Sequence, residues 1–144
     1  MLSSKSIKER IVLDHFRSCY SEFPKGRISQ TESPDFILKI SPRISIGIEL
    51  VSLPSASYVI DRKSARPLIT DVQTALHKKS EKLTLYRKKR ANSYWLVLYA
   101  DSIISKGPDP EKILEKLTTG NGFDGIFLLG LFEGVVWQFP RARE

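Results

Sequence analysis

One carboxylate constrains this chain more than any other residue. Glu49 stands inside Ile46-Gly47-Ile48-Glu49-Leu50-Val51, a run in which every other side chain is apolar or absent. Such a run is expected as a buried strand, and a charge within it costs several kcal/mol of desolvation unless a cation or a metal compensates it. The fold must therefore bring a partner to Glu49.

The rest of the chain supplies the frame for that meeting. Its 144 residues, 41% of them hydrophobic, suffice for one domain over residues 1–144 with a core of its own, and they exclude a disordered linker. Cys19 is the single cysteine, which excludes an intramolecular disulfide and a Cys-rich zinc module and points to a reducing, cytoplasmic setting. Two histidines, His15 and His77, give little material for a His-based metal site. No stretch approaches the roughly 18 apolar residues of a membrane span, and Met1 to Lys8 lacks a secretory signal pattern, so no membrane partner is expected. The net charge of +7 makes polyanions candidate partners without selecting among them.

Hydrophobic periodicity places the elements. Lys5 to Tyr20 is predicted as a helix, with Val12, Phe16, Cys19, Tyr20 and Phe23 along one face and Pro24-Lys25-Gly26 as its stop. Phe36 to Ser41 and Ser45 to Leu53 read as strands, joined by Pro42-Arg43-Ile44 in an antiparallel hairpin. Asp71 to Lys89 is the clearest helix, followed by a buried strand from Tyr94 to Ala100 and a shorter helix from Glu111 to about Thr119. Strands Gly125 to Leu131 and Gly134 to Phe139 close the chain around a turn at Glu133-Gly134. The order predicts an α/β sandwich with a mixed sheet.

Three further residues contradict their surroundings. Asp35 sits at the mouth of a strand behind Pro34; with Ser41 opposite Ser45, Ile37 would face Glu49 and Asp35 would be its diagonal neighbour on the same sheet face. A slip of one residue would separate the two acids onto opposite faces. On the long helix, Val72, Leu76, Leu83 and Tyr86 define an apolar stripe, and steps of about 100° put Lys79 near its middle and Lys82 at its edge beside Ala75. Glu9 likewise lies among Val12, Leu13 and Phe16 on the first helix. Two acids on adjacent strands, a lysine packed over them and an extra glutamate match metal-dependent phosphodiester hydrolysis. The acids would hold Mg²⁺, and the ammonium would stabilise charge on phosphorus-bound oxygens or position the nucleophile.

Pro34-Asp35 at a strand start, followed by Ile46-Gly47-Ile48-Glu49 in the next strand, resembles the PD-(D/E)XK nuclease superfamily. The segment Glu32-Ser33-Pro34-Asp35-Phe36, the Gly-Ile-Glu strand and the helix bearing Leu76, Lys79, Lys82, Leu83 and Tyr86 look like a branch of small stand-alone bacterial members, over about residues 9 to 100. The resemblance implies a restriction-endonuclease-like mixed sheet sandwiched by helices, Mg²⁺ or Mn²⁺ held by Asp35 and Glu49, and nucleic acid, DNA in the first instance, as substrate. It departs at Val51, where the third motif position should be lysine; some branches carry that lysine on the following helix, so Lys79 or Lys82 would fill the role. Glu9 or Glu32 would complete the shell, and Gln73 resembles a supporting polar helix position. A homodimer would suit cutting of both strands of a duplex.

Plainer accounts stand beside these. Glu49 and Lys79 would also satisfy each other as a structural ion pair, Asp35 would serve as a turn acid, and Glu9 and Glu32 as surface or capping carboxylates. The run Arg87-Lys88-Lys89-Arg90 suits a helix C-terminus without DNA, and Trp95 and Trp137 read as packing residues. Gly120-Asn121-Gly122 lacks the setting of a phosphate loop, and His15 has no triad around it. The loss of lysine at position 51 supports a second class of function, an inert domain of the same fold that binds nucleic acid or a protein. A toxin-system component is a third.

Overall fold

Ser3 starts the first helix: its Oγ accepts the Ser6 backbone N–H at 3.1 Å, satisfying one of the donors a helix start leaves open. Helix α1 (Ser4–Cys19) then buries Val12, Leu13 and Phe16. Replacing Ser3 by alanine is expected to cost about 1 kcal/mol, read as a lower midpoint in urea denaturation with an unchanged slope. The computed structural model describes residues 3–61, 63–107, 109–117 and 122–139.

After α1 the chain runs through β1 (Arg27–Gln30), β2 (Phe36–Ser41), β3 (Ile44–Ser52), β4 (Ser57–Ile60), α2 (Arg66–Arg90), β5 (Ser93–Ala100), β6 (Ser102–Ser105), α3 (Pro110–Leu114), β7 (Gly125–Gly130) and β8 (Val135–Phe139). The main sheet has the order β1-β2-β3-β5-β7-β8. The pairs β3–β5 and β5–β7 are parallel, and β1–β2, β2–β3 and β7–β8 are antiparallel. Parallel neighbours need crossovers, which α2 and α3 lie within. A small parallel pair, β4 with β6, stands beside the main sheet. The chain is thus mixed α/β, as its periodicities predict.

Side-chain alternation divides the core into two layers. Phe36, Leu38, Ile46, Ile48, Leu50, Val97 and Phe127 pack with Val12, Leu13 and Phe16 of α1. On the other side Leu96, Leu98, Ile126 and Leu128 pack with Leu68, Val72, Ala75 and Leu76 of α2, Leu114 of α3 and Ile60 of β4. Because both faces are covered, β7 is buried at every position. No helix among the described residues is long and apolar enough to cross a membrane.

The structure differs from the sequence-based expectation in register and in short strands. Ser41 pairs with Ile44 across Pro42-Arg43, and a bulge shifts the ladder so that Lys39 pairs with Ser45 and Ile37 with Gly47. Ile37 therefore lies two positions from the place expected opposite Glu49. An even shift keeps every side chain on its face, and the ladder ends at Phe36↔Ile48, with Asp35 in the bend just before β2. Strands β1, β4 and β6 were absent from the expected order; each has only four residues, too few for a clear pattern. Helix α2 starts at Arg66, before the expected Asp71, because Pro67 is tolerated in a first turn. Helix α3 ends at Leu114, and the expected end at Thr119 lies outside the described residues, as do the side chains of Tyr86 and of Arg87 to Arg90, and Gly120-Asn121. Gly134 takes the expected turn between β7 and β8 with φ +64°.

Candidate functional site

Ile46, Ile48 and Leu50 point into the α1 layer, so strand alternation turns Glu49 toward α2. There Glu49 is 4% exposed, and the Lys79 ammonium donates to its Oε2 at 3.3 Å. The interruption in β3 and the interruption in the α2 stripe thus meet each other. Lys79 keeps contact with solvent, its side chain being 23% exposed, so its charge has a path outward while Glu49 does not.

Asp35 reaches the same place from β2. The loop before it is folded by the Thr31 N–H, which donates to the Asp35 carbonyl at 2.9 Å, and by the Thr31 hydroxyl, which donates to the Pro34 carbonyl. The Asp35 Oδ2 accepts the Leu50 backbone N–H at 2.8 Å, which ties the carboxylate to the residue after Glu49. Asp35 is buried, and burial is the first reason its carboxyl is pushed up to about 6. A hydrogen bond with Glu9 and that residue's negative charge push in the same direction; the Leu50 N–H and Lys79 pull the other way without prevailing.

Glu9 arrives from the opposite layer, half-buried on α1. With Glu32, Thr31, Lys5 and Ser6 it surrounds a cleft of about 320 Å³ onto which Asp35 opens. Glu32 is exposed at the rim. Lys82 and Gln73 are exposed on α2. For Lys82 exposure accords with a place at the stripe edge, which a long lysine chain leaves for water. Asp35, Glu49, Lys79 and Glu9 are the expected residues that share one centre.

Tyr99, which periodicity marks only as core, also belongs here. Its hydroxyl is raised above the ordinary tyrosine range by burial, against a hydrogen bond with Ser52, and the charges of Glu9, Asp35 and Asp101 act on it in the same direction as burial. A polar-tipped aromatic in a strand as apolar as β5 was the available signal. Gly47 is a second missed residue: a Cβ there would sit 2.6 Å from the Tyr94 ring and 2.9 Å from Pro34 Cγ. Gly47→Ala should therefore destabilise by about 2 kcal/mol through overpacking, measured by urea denaturation, and would displace the backbone next to both acids.

The centre carries three carboxyl groups against the ammonium of Lys79. Its chemistry is accordingly that of a hard, oxygen-rich, electron-rich pocket. Among the described residues no group of three or more His, Cys, Asp and Glu side chains is placed to hold a metal by itself. In comparison with known proteins, no family model and no curated protein matches this chain.

Proposed function

We propose that the chain is a Mg²⁺- or Mn²⁺-dependent nuclease of the restriction-endonuclease-like type, hydrolysing phosphodiester bonds of DNA in the cytoplasm. The observation that carries this reading is the pair of acids at the β2–β3 hairpin, Asp35 bonded to the Leu50 N–H beside Glu49, with Lys79 on Glu49. The donor set suits a hard cation, since both acids are oxygen donors and Asp35 is held short of positive charge. Mg²⁺ is commonly held by one or two carboxylates with waters and substrate oxygens making up the rest, so a third protein acid is not required. Asp35 and Glu49 would be those ligands.

When bound, the cation would supply Lewis-acid polarisation of the phosphate and a more acidic water. The chain's own contribution is positioning. The Leu50 N–H fixes one oxygen of Asp35, so that its carboxylate is oriented before any ligand arrives. Lys79 pairs with Glu49 and would supply a positive charge to the phosphoryl group bound beside it. It would thereby serve the role of the lysine missing at Val51. Glu9 is placed to take or give a proton through its hydrogen bond with Asp35.

A second reading, an inert domain of this fold that binds nucleic acid or a protein, is favoured by Val51 and by the engagement of Lys79 with Glu49. Calorimetric titration of Mg²⁺ and Mn²⁺ into wild type and Asp35→Asn separates the two, with cleavage assays on single-stranded, duplex and branched DNA alongside. The nuclease reading expects metal binding and cleavage in wild type, both lost in Asp35→Asn and Glu49→Gln. A folded wild type that binds neither metal, with or without DNA, overturns it.

A further inference from the structure

The face of the hairpin that carries the acids continues into a second cleft. Moving back along β3 from Glu49, Gly47 and Ser45 share its face, and on β2 Ile37 and Lys39 follow Asp35 in the same alternation. At the end of this ladder Lys39, Ser41, Arg43, Ser45 and Asn92 line a cleft of about 300 Å³. Four residues of strand separate Ser45 from Glu49, a distance of about 13 Å.

This cleft presents donors. The Ser41 Oγ accepts the N–H groups of Arg43 at 3.4 Å and Ile44 at 3.2 Å, which leaves its hydroxyl proton to donate elsewhere. The Asn92 Oδ1 accepts the Ser45 N–H at 2.7 Å and the Ser45 hydroxyl at 3.4 Å, which directs its NH₂ group away from Ser45. Lys39 and Arg43 are exposed cations, and none of the described residues lining the cleft is acidic. The larger cleft at the C-terminal end of α1 differs on this point, because Asp14 stands there beside Arg17 and Lys25. Exposed Lys82 lies one turn beyond Lys79, toward the end of α2 where the Asn92 N–H donates to the Ser45 carbonyl at 3.1 Å.

We propose that this cleft grips the phosphate backbone of the DNA strand whose reacting phosphodiester lies at Asp35 and Glu49, about two nucleotide steps away along the strand. The inference rests on the hydrolytic reading above. Arg43 would take phosphate oxygens in the plane of its guanidinium, Lys39 would add a point charge, and the hydroxyl and amide donors would complete the contact. Contacts of this kind position the duplex without reading its sequence.

The test is the salt dependence of binding of labelled duplex DNA, in EDTA so that cleavage is absent, for wild type and Lys39→Gln/Arg43→Gln. Two lost phosphate contacts should make the slope of log affinity against log salt shallower by about 1.8 and weaken binding on the order of tenfold at moderate salt. With Mg²⁺ present, KM should rise several-fold more than kcat falls. Both residues are exposed, so the variant should melt with the wild type, and the charge-preserving swap Lys39→Arg/Arg43→Lys should keep the wild-type slope. A double variant with an unchanged slope and KM, in a wild type that cleaves, overturns the cleft and leaves the nuclease standing. A wild type that binds with a slope the double variant lowers, but never cleaves with Mg²⁺ or Mn²⁺, upholds the cleft as a DNA-binding surface and overturns the nuclease. A wild type that binds no DNA overturns the cleft.

Discussion

Lys79→Met should destabilise the folded protein by about 2–3 kcal/mol at neutral pH, below the full cost of breaking a deeply buried pair because the ammonium retains contact with water. The loss comes from Glu49, 4% exposed, which loses the ammonium 3.3 Å away and must either hold its charge or take up a proton in an apolar strand. Adding Glu49→Gln to Lys79→Met should recover most of the loss, because the group that suffers from the missing cation is then neutral. Lys82→Met, at an exposed position on the same helix, should stay within about 0.5 kcal/mol of wild type. Urea denaturation of the four proteins measures the coupling. Equal effects of the two single lysine substitutions would show that the pair seen here does not hold in solution. Cleavage assays on the same proteins add the chemical distinction: loss with Lys79→Met and retention with Lys82→Met would assign the motif lysine to α2 at Lys79.

Asp35→Asn is expected to act in the opposite direction and stabilise the protein at pH 7 and above by up to about 3 kcal/mol. The Asp35 carboxyl has an ordinary value of 3.8 and is raised in the folded state to about 6, first by burial and then by Glu9. Between those values the folded state binds more protons than the unfolded one, so stability is greatest below about pH 4, falls as pH rises through about 6, and remains at the lower level beyond. Asparagine cannot ionise and keeps an oxygen for the Leu50 N–H, so that fall should be missing from the variant, and the two proteins should converge in acid. Denaturant midpoints measured across this window check the sign. A wild type equally stable on both sides of it would mean that Asp35 is not short of positive charge. At pH 8, Mg²⁺ at concentrations above its dissociation constant should restore stability to the wild type and not to Asp35→Asn, as binding to the folded state alone requires. A site that is less stable without its ligand is the thermodynamic counterpart of one prepared to receive a cation.

Much of the candidate site was legible because charge in an apolar pattern is a local signal. Glu49 breaks a strand and Lys79 breaks a helical stripe, and a desolvated charge requires a partner wherever the chain finds one. The meeting of these two residues follows from that requirement. Glu9 was visible as an oddity on α1, but its hydrogen bond with Asp35 depends on how the α1 layer lies over the sheet edge. Lys82 sat at the edge of the stripe by angle alone, and angle does not say whether a flexible chain turns inward or out. Tyr99 carried no charge and broke no period, its hydroxyl being the one local signal, and nothing local distinguished Gly47 from core.

The alternation of helices with strands, the antiparallel hairpin and the buried charge that the fold must neutralise are written in the residues themselves. These follow from periods of two and 3.6 residues and from desolvation, which act over a few neighbouring positions. The hairpin register, the bond of Asp35 to the Leu50 N–H, the pairing of β4 with β6 and the approach of Glu9 to Asp35 come from the folded chain alone. Each depends on contacts between segments distant in the chain: the bulge between Lys39 and Ser41 moves the ladder by two residues without moving a single side chain to the other face, and two strands of four residues each are held by what packs around them rather than by their own pattern.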